Sequence, residues 1–138
     1  MTGSGPTARR VLLDTSVIIE PPPRGTASFA DVVSVSAVTV GELHYGVGAS
    51  LDPIEQLRRR QRLGLVLDTY DVLPFDAPVA EFYGLLANVV RQAGRDPRPR
   101  RLDLMIAATA VRHGFSLATR NGADLRHLEQ VLTVINVD

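Results

Sequence analysis

The chain of 138 residues contains no cysteine and no lysine. Without thiols there are no disulfides, no thiolate nucleophile and no cysteine-bound zinc. That absence suits a reducing cytoplasm, where the protein is expected to act. Long apolar runs are missing too: none approaches the roughly 18 residues that span a bilayer, so no membrane association is expected. The opening MTGSGPTARR carries two arginines, but the apolar stretch after it is interrupted by Asp14 and closed by Glu20. It does not read as a secretory signal. The lack of lysine also excludes a phosphate-binding loop of the Walker type.

Net charge is lacking as well: the 15 basic and 15 acidic residues cancel. The distribution of charge says more than its sum. Every basic residue is arginine, and Arg91, Arg95, Arg98, Arg100 and Arg101 crowd into one short stretch. Arg58, Arg59, Arg60 and Arg62 form a second cluster. Screening limits the reach of charge to about 8–10 Å at cellular salt, so a local patch on a neutral protein can still bind phosphates. The second cluster reads as a solvated helix face, partly paired by Glu55 to Arg59 at i, i+4 spacing.

What is present is an alternation of strand and helix signals. A flexible tail is expected over residues 1–8 and one folded domain over residues 9–138. Arg10 to Leu13 read as a short buried strand, and Pro21-Pro22-Pro23 closes the short helix after it. Val32 to Val35 form a second strand, and Ser36 is placed to cap a helix from Ala37 to about Val47. A third helix runs from Pro53 to about Leu67, and a strand from Asp71 to Phe75. The helix Pro78 to Ala93 places Phe82, Leu85, Leu86, Val89, Val90 and Ala93 on one face, with Gly94 as its stop. After the Pro/Arg loop Gly94–Arg101 come a helix from Asp103 to His113 and a strand from Ser116 to Thr119. A brief helical turn past Asn121-Gly122 and a last strand, Leu132 to Val137, complete the pattern. The expectation is an α/β fold: a three-layer α/β/α sandwich on a central parallel sheet of four to five strands. In such sheets ligands sit beyond the carboxyl ends of the strands, at a topological switch point.

Four carboxylates fall near that edge. Asp14 ends the first strand in VLLDTSVII, where it could equally cap the next helix. Glu42 lies on the nearly apolar helix AVTVGELHYGV, with no lysine in the chain and no arginine within a turn or two to pair with it. Glutamate is almost never fully buried unless it is paired or bound. Asp103 opens its helix, where the dipole favours an acid by about 0.3–1 kcal/mol. Asp124 follows a strand and an Asn-Gly turn and could likewise be a cap. Together, four acids at one edge would repel strongly unless a cation intervened, and hard divalent ions with oxygen ligands are the natural answer. His44, His113 and His127 are too dispersed to form a ligand set.

The motifs VLLDTSVII, SVSAVTVGELHYGV, RLDLMIAATAVRHG and SLATRNGADL, in that order and spacing, resemble the signatures of PIN-domain nucleases. The likeness is to the VapC toxins of bacterial VapBC toxin–antitoxin pairs, and it runs from about Arg10 over nearly the whole chain. It implies that Asp14, Glu42, Asp103 and Asp124 form an acidic quartet around magnesium, with manganese as a substitute. Asn121 matches the asparagine beside the fourth acid, and Thr15, Ser16 and Thr119 match supporting hydroxyls. The Pro21-Pro22-Pro23 run departs from relatives that are more often helical there.

The resemblance further implies hydrolysis of RNA phosphodiesters, in transfer or ribosomal RNA, by a metal-activated water. It implies a VapB-type antitoxin that inserts into the acidic groove, and a homodimer. Arg95, Arg98, Arg100 and Arg101 are the candidates for gripping the RNA backbone, since arginine forks match phosphate. A phosphatase of the haloacid dehalogenase type needs a second aspartate where Ser16 stands, and a receiver domain needs a lysine. The alternative from another class is a catalytically silent PIN-like module that binds antitoxin or RNA without cleavage.

Overall fold

The computed structural model describes residues 8–138, so residues 1–7 of the expected tail lie outside the described residues. Five strands form one all-parallel sheet: β1 (Arg10–Leu13), β2 (Val32–Ser36), β3 (Asp71–Leu73), β4 (Ser116–Thr119) and β5 (Val134–Asn136). The helices are α1 (Thr15–Ile19), α2 (Ala37–Ala49), α3 (Pro53–Thr69), α4 (Ala77–Gln92) and α5 (Arg101–His113). Two 3₁₀ segments, Arg98–Arg100 and Gly122–Leu128, complete the chain.

The strand order is β3-β2-β1-β4-β5. The chain builds outward from β1 to β3, then returns to lay β4 on the other side of β1. The switch point is therefore the seam between β1 and β4, where Leu13 pairs with Ala118.

Successive side chains of a strand point to opposite faces, and here each face has its own core. Leu12 and Leu117 pack on one side with Val79, Leu86 and Val90 of α4 and Leu104, Ile106 and Ala107 of α5. Val11, Leu13 and Ala118 pack on the other side with Val17 and Ile18 of α1, Leu43 of α2, and Leu63 and Val66 of α3. The expected three layers are observed. The continuous apolar runs of β1 reflect a strand buried on both faces.

Helix ends follow capping chemistry. Ser36 Oγ accepts the Val38 amide at 3.0 Å, as the sequence suggested. Asp52 and Asp76 cap α3 and α4 in the same way. Helix α5 stops at Gly114, whose φ of 72° is left-handed backbone that a side chain would strain.

Several boundaries differ from expectation. Helix α5 begins at Arg101, two residues before Asp103, because the 3₁₀ turn Arg98–Arg100 runs straight into it. Strand β3 ends at Leu73 and β5 is confined to Val134–Asn136. On α4 the buried stripe is Val79, Leu86 and Val90, while Leu85 and Val89 are 54% and 36% exposed. One residue of helix turns about 100°, which carries those two side chains off the flank that meets α5. Among the described residues no helix is long and apolar enough to cross a membrane.

Leu12 is fully buried at the centre of one core. Its replacement by alanine should lower unfolding stability by about 2–5 kcal/mol, read as a reduced urea midpoint at unchanged m-value.

Candidate functional site

The seam between β1 and β4 carries the first acid. Asp14 continues the β1 ladder by donating its amide to Ala118 O at 2.9 Å, and its side chain caps α1. The capping and ligand readings of this residue are thus compatible, because they use different oxygens. Oδ2 accepts from Ser16 Oγ at 2.6 Å, from Ser16 N at 3.3 Å and from Thr119 Oγ1 at 3.0 Å. Oδ1 accepts no hydrogen bond from the described residues, and Asp14 as a whole is only 6% exposed. The two hydroxyls are themselves fixed. Ser16 Oγ accepts the Arg120 amide at 3.1 Å, and Thr119 Oγ1 accepts the Asn121 amide at 3.0 Å.

Glu42 sits on α2, half-buried. Its partner is Thr15, whose hydroxyl donates to Oε1 at 2.6 Å and lies 3.0 Å from the buried Thr39 hydroxyl. No arginine forms an ion pair with Glu42 among the described residues, so its charge is met by a hydroxyl alone. The motif DTS therefore divides its labour: Asp14 faces the seam, Ser16 holds Asp14, and Thr15 holds Glu42.

Asp103 stands in the first turn of α5 with its side chain 32% exposed. Its pKa is pushed up to about 6, first by burial and then by the Asp14 carboxylate; Glu42 and Asp124 add smaller pushes and Arg100 opposes them. The other three acids therefore all bear on Asp103. Asp124 lies on the 3₁₀ segment after β4, with its amide donating to Asn121 O at 3.0 Å. That segment is tied to β5 by the Gly122 amide, which donates to Asn136 Oδ1 at 3.2 Å. A Cβ at Gly122 would stand 2.7 Å from the same oxygen, so a side chain here would push the Asn136 amide aside.

One cation already sits among the acids. Arg100 reaches Asp124 Oδ2 at 3.1 Å and Asp103 Oδ2 at 3.8 Å. Expected to grip phosphate, it is engaged instead with two of the four carboxylates. As they stand, no three of the described Asp, Glu or His side chains are drawn together tightly enough to grip a metal ion. The chemistry of the acids nevertheless suits a hard ion: every candidate donor atom is a carboxylate oxygen, Asp14 Oδ1 is left without a hydrogen bond, and the charges of the other three acids bear on Asp103.

The other arginines border this centre. Glu42 and Asp103 line a depression of about 300 Å³ together with Arg98, Arg101 and Leu102. An open hollow of about 660 Å³, lined by Arg91, Arg95 and Arg98, adjoins it through Arg98. Arg98 pairs with Asp96 at 3.0 Å, and Arg101 donates to Arg98 O at 3.3 Å. Arg58 and Arg59 pair with Glu55 at 2.9 and 3.0 Å, the pairing expected of that cluster, but Arg59 is half-buried and also donates to Gly46 O at 2.7 Å, tying α3 to α2. His44 and His127 are exposed.

Sequence reasoning missed three participants: Thr39, the Arg100 bridge, and Arg120. The Arg120 guanidinium donates to Glu20 O at 2.8 Å and so ties the segment after β4 to the end of α1. The spacing from Arg100 to Asp103 is readable as i, i+3. The contacts to Asp124 and Glu20 join distant segments and leave no local signal.

The PIN domain family profile matches residues 11–130. Toxin FitB of Neisseria gonorrhoeae is 35% identical over 123 residues, covering 80% of this chain and 87% of that protein. Ribonuclease VapC4 of Mycobacterium tuberculosis is 37% identical over 116 residues, covering 82% and 87% respectively. Among solved structures, VapBC-5 of Mycobacterium tuberculosis, a member of the VapBC family of toxin–antitoxin systems, superposes with a TM-score of 0.81 at 30% identity, covering 93% of this chain and 98% of that one. With the acids at the switch point of an all-parallel sheet and the family profile spanning most of the chain, this protein belongs to the PIN domain family, alongside VapC-type proteins.

Proposed function

We propose that this chain is the toxin of a type II toxin–antitoxin pair and a divalent-metal-dependent endoribonuclease. The observation that carries the proposal is the convergence of four carboxylates at the carboxyl edge of the sheet, where the charges of Asp14, Glu42 and Asp124 all bear on Asp103. Relatives named as ribonucleases and toxins supply the reaction class.

Asp14, Glu42, Asp103 and Asp124 would hold magnesium or manganese through oxygen, the donor type hard ions prefer. The bound ion would supply a polarised water and neutralise charge building on the phosphodiester. The rest falls to the chain's own residues. Ser16 and Thr119 aim the Asp14 carboxylate, leaving Oδ1 open, and Thr15 aims Glu42. Asn121 anchors the turn that carries Asp124. Arg95, Arg98 and Arg101 flank the acids and would bind the RNA backbone, so the strand would run from the 660 Å³ basic hollow toward Asp103. Transfer or ribosomal RNA is the proposed substrate class.

The proposed antitoxin is of the VapB type. An apolar hollow of about 390 Å³ between α1 and α3, lined by Ile18, Ile19, Pro21, Pro22 and Val66, would suit an apolar segment of such a partner. For the homodimer, the exposed Leu85 and Val89 of α4 offer an apolar face. Action in the cytoplasm follows from the substrate.

Purified protein should cleave RNA only with magnesium or manganese, and Asp14→Asn or EDTA should reduce cleavage to background. Cleavage that survives both rules out the metal mechanism. Thr119→Val should cost about 10–100-fold in metal affinity or rate, since partners of metal ligands have effects of that size. Calorimetric titration of manganese into Glu42→Gln tests the second acid; unchanged affinity removes Glu42 from the metal shell.

Proton and metal compete for Asp103. Its folded pKa near 6 lies above its unfolded value, so the metal-free protein gains stability as pH falls through 6 and loses it as pH rises. The melting temperature without metal should therefore be higher at pH about 5 than at pH about 7, and Asp103→Asn should flatten that difference. With manganese the order reverses, because binding requires the ionised carboxylate.

A further inference from the structure

Arg100 is the residue whose geometry the proposed reaction does not yet explain. It ends the 3₁₀ turn Arg98–Arg100 and stands at the N-cap position of α5, where it offers no side-chain cap. Its side chain is half-exposed, and its two terminal nitrogens reach two different acids, Asp124 at 3.1 Å and Asp103 at 3.8 Å. Neighbouring Arg98 pairs instead with exposed Asp96.

Resting on the metal-site reading above, we propose that Arg100 is a placeholder cation for the acidic centre. In the metal-free chain it bridges Asp103 and Asp124; a divalent ion displaces it, and the freed guanidinium then takes a phosphate of the bound RNA.

First, the four acids concentrate negative charge in a partly dry place, and without a cation their repulsion would spread them apart. Arg100 is the cation in salt-bridge contact with them among the described residues. Second, the bridge is weak enough to break. One arm is close and the other loose, neither carboxylate is held by a full two-pronged pair, and a half-exposed ion pair contributes little net stability. A guanidinium and a divalent ion sharing these carboxylates would also repel each other at short range. Third, the same planar fork that fits carboxylate fits phosphate. When released, Arg100 lies beside Arg98 and Arg101, whose side chains line the depression that holds Glu42 and Asp103. Metal entry and substrate grip are then linked through one side chain: the phosphate-binding arm becomes available when the metal is in place.

The linkage makes a counterintuitive prediction for the metal and an ordinary one for RNA. Manganese would be titrated by calorimetry into the full-length wild-type chain, Arg100→Ala and Arg98→Ala. The variants remove the same charge, and their thermal melts with manganese bound would verify folding. Arg100→Ala should tighten manganese binding about tenfold, whereas Arg98→Ala, which loses only a more distant charge, should change it by less than about twofold. In steady-state cleavage at saturating metal, Arg100→Ala should raise KM for RNA by about tenfold. Equal shifts in manganese affinity for the two variants overturn the placeholder role and leave only a general charge effect. Weaker manganese binding by Arg100→Ala also overturns it, since Arg100 would then be supporting the ligands. An unchanged KM overturns the phosphate step. Wild-type protein that binds no manganese would overturn the metal-site reading itself, an outcome distinguishable from the others because it appears before any variant is compared.

Discussion

The Asp14 carboxylate is almost entirely buried at the point where the sheet changes direction, and a buried charge must be met by hydrogen bonds or it destabilises the fold. Two hydroxyls and an amide meet it, and they come from both sides of the seam: Ser16 from the helix after β1, Thr119 from the end of β4. The contacts do more than compensate for lost water. Through Ser16 and Thr119 they reach the amides of Arg120 and Asn121, so the chain leaving β4 is positioned by the chain leaving β1. The location of Asp124 follows from that. So does the openness of Oδ1, since all the anchoring falls on the other oxygen. The topology creates the crevice, and this network of small hydroxyls decides where its acids point.

The charges around that network are balanced by position more than by number. Fifteen arginines and fifteen acids cancel over the chain, yet the acids at the seam are answered locally by a single guanidinium in salt-bridge contact. Of the neighbouring loop, Arg98 and Arg101 line the depression that holds Glu42 and Asp103. Acids with arginines beside them would suit a reaction on a polyanion, the arginines drawing in the strand and the acids an ion.

How much of this was legible depended on whether the determinant was local. Strand β1 has the boundaries that its apolar residues and Asp14 suggested, since both flanking signals lie within the segment. The Ser36 cap and the Gly114 stop were readable for the same reason. The start of α5 was not: Arg98-Pro99-Arg100 reads as loop, but proline suits the first turn of a helix and the 3₁₀ segment merges into it. Leu85 and Val89 fit the helical period, yet only tertiary packing could decide which part of a wide apolar face meets α5. Glu42 stood out as an acid without a local partner, and its actual partner is a threonine 27 residues earlier. Arg100 was recognisable as a phosphate candidate by composition, whereas its bridge to Asp124 required the fold.

The contact between the Gly122 amide and Asn136 has a consequence for the order of synthesis. The turn bearing Asp124 leans on β5, the last strand of the sheet to be made, and glycine at 122 leaves just enough room for the two to meet. A chain translated only as far as β4 would contain Asp14, Glu42 and Asp103 but neither the fourth acid nor the strand that seats it. Translation must therefore pass Asn136 before this contact can form and help seat the turn that carries Asp124.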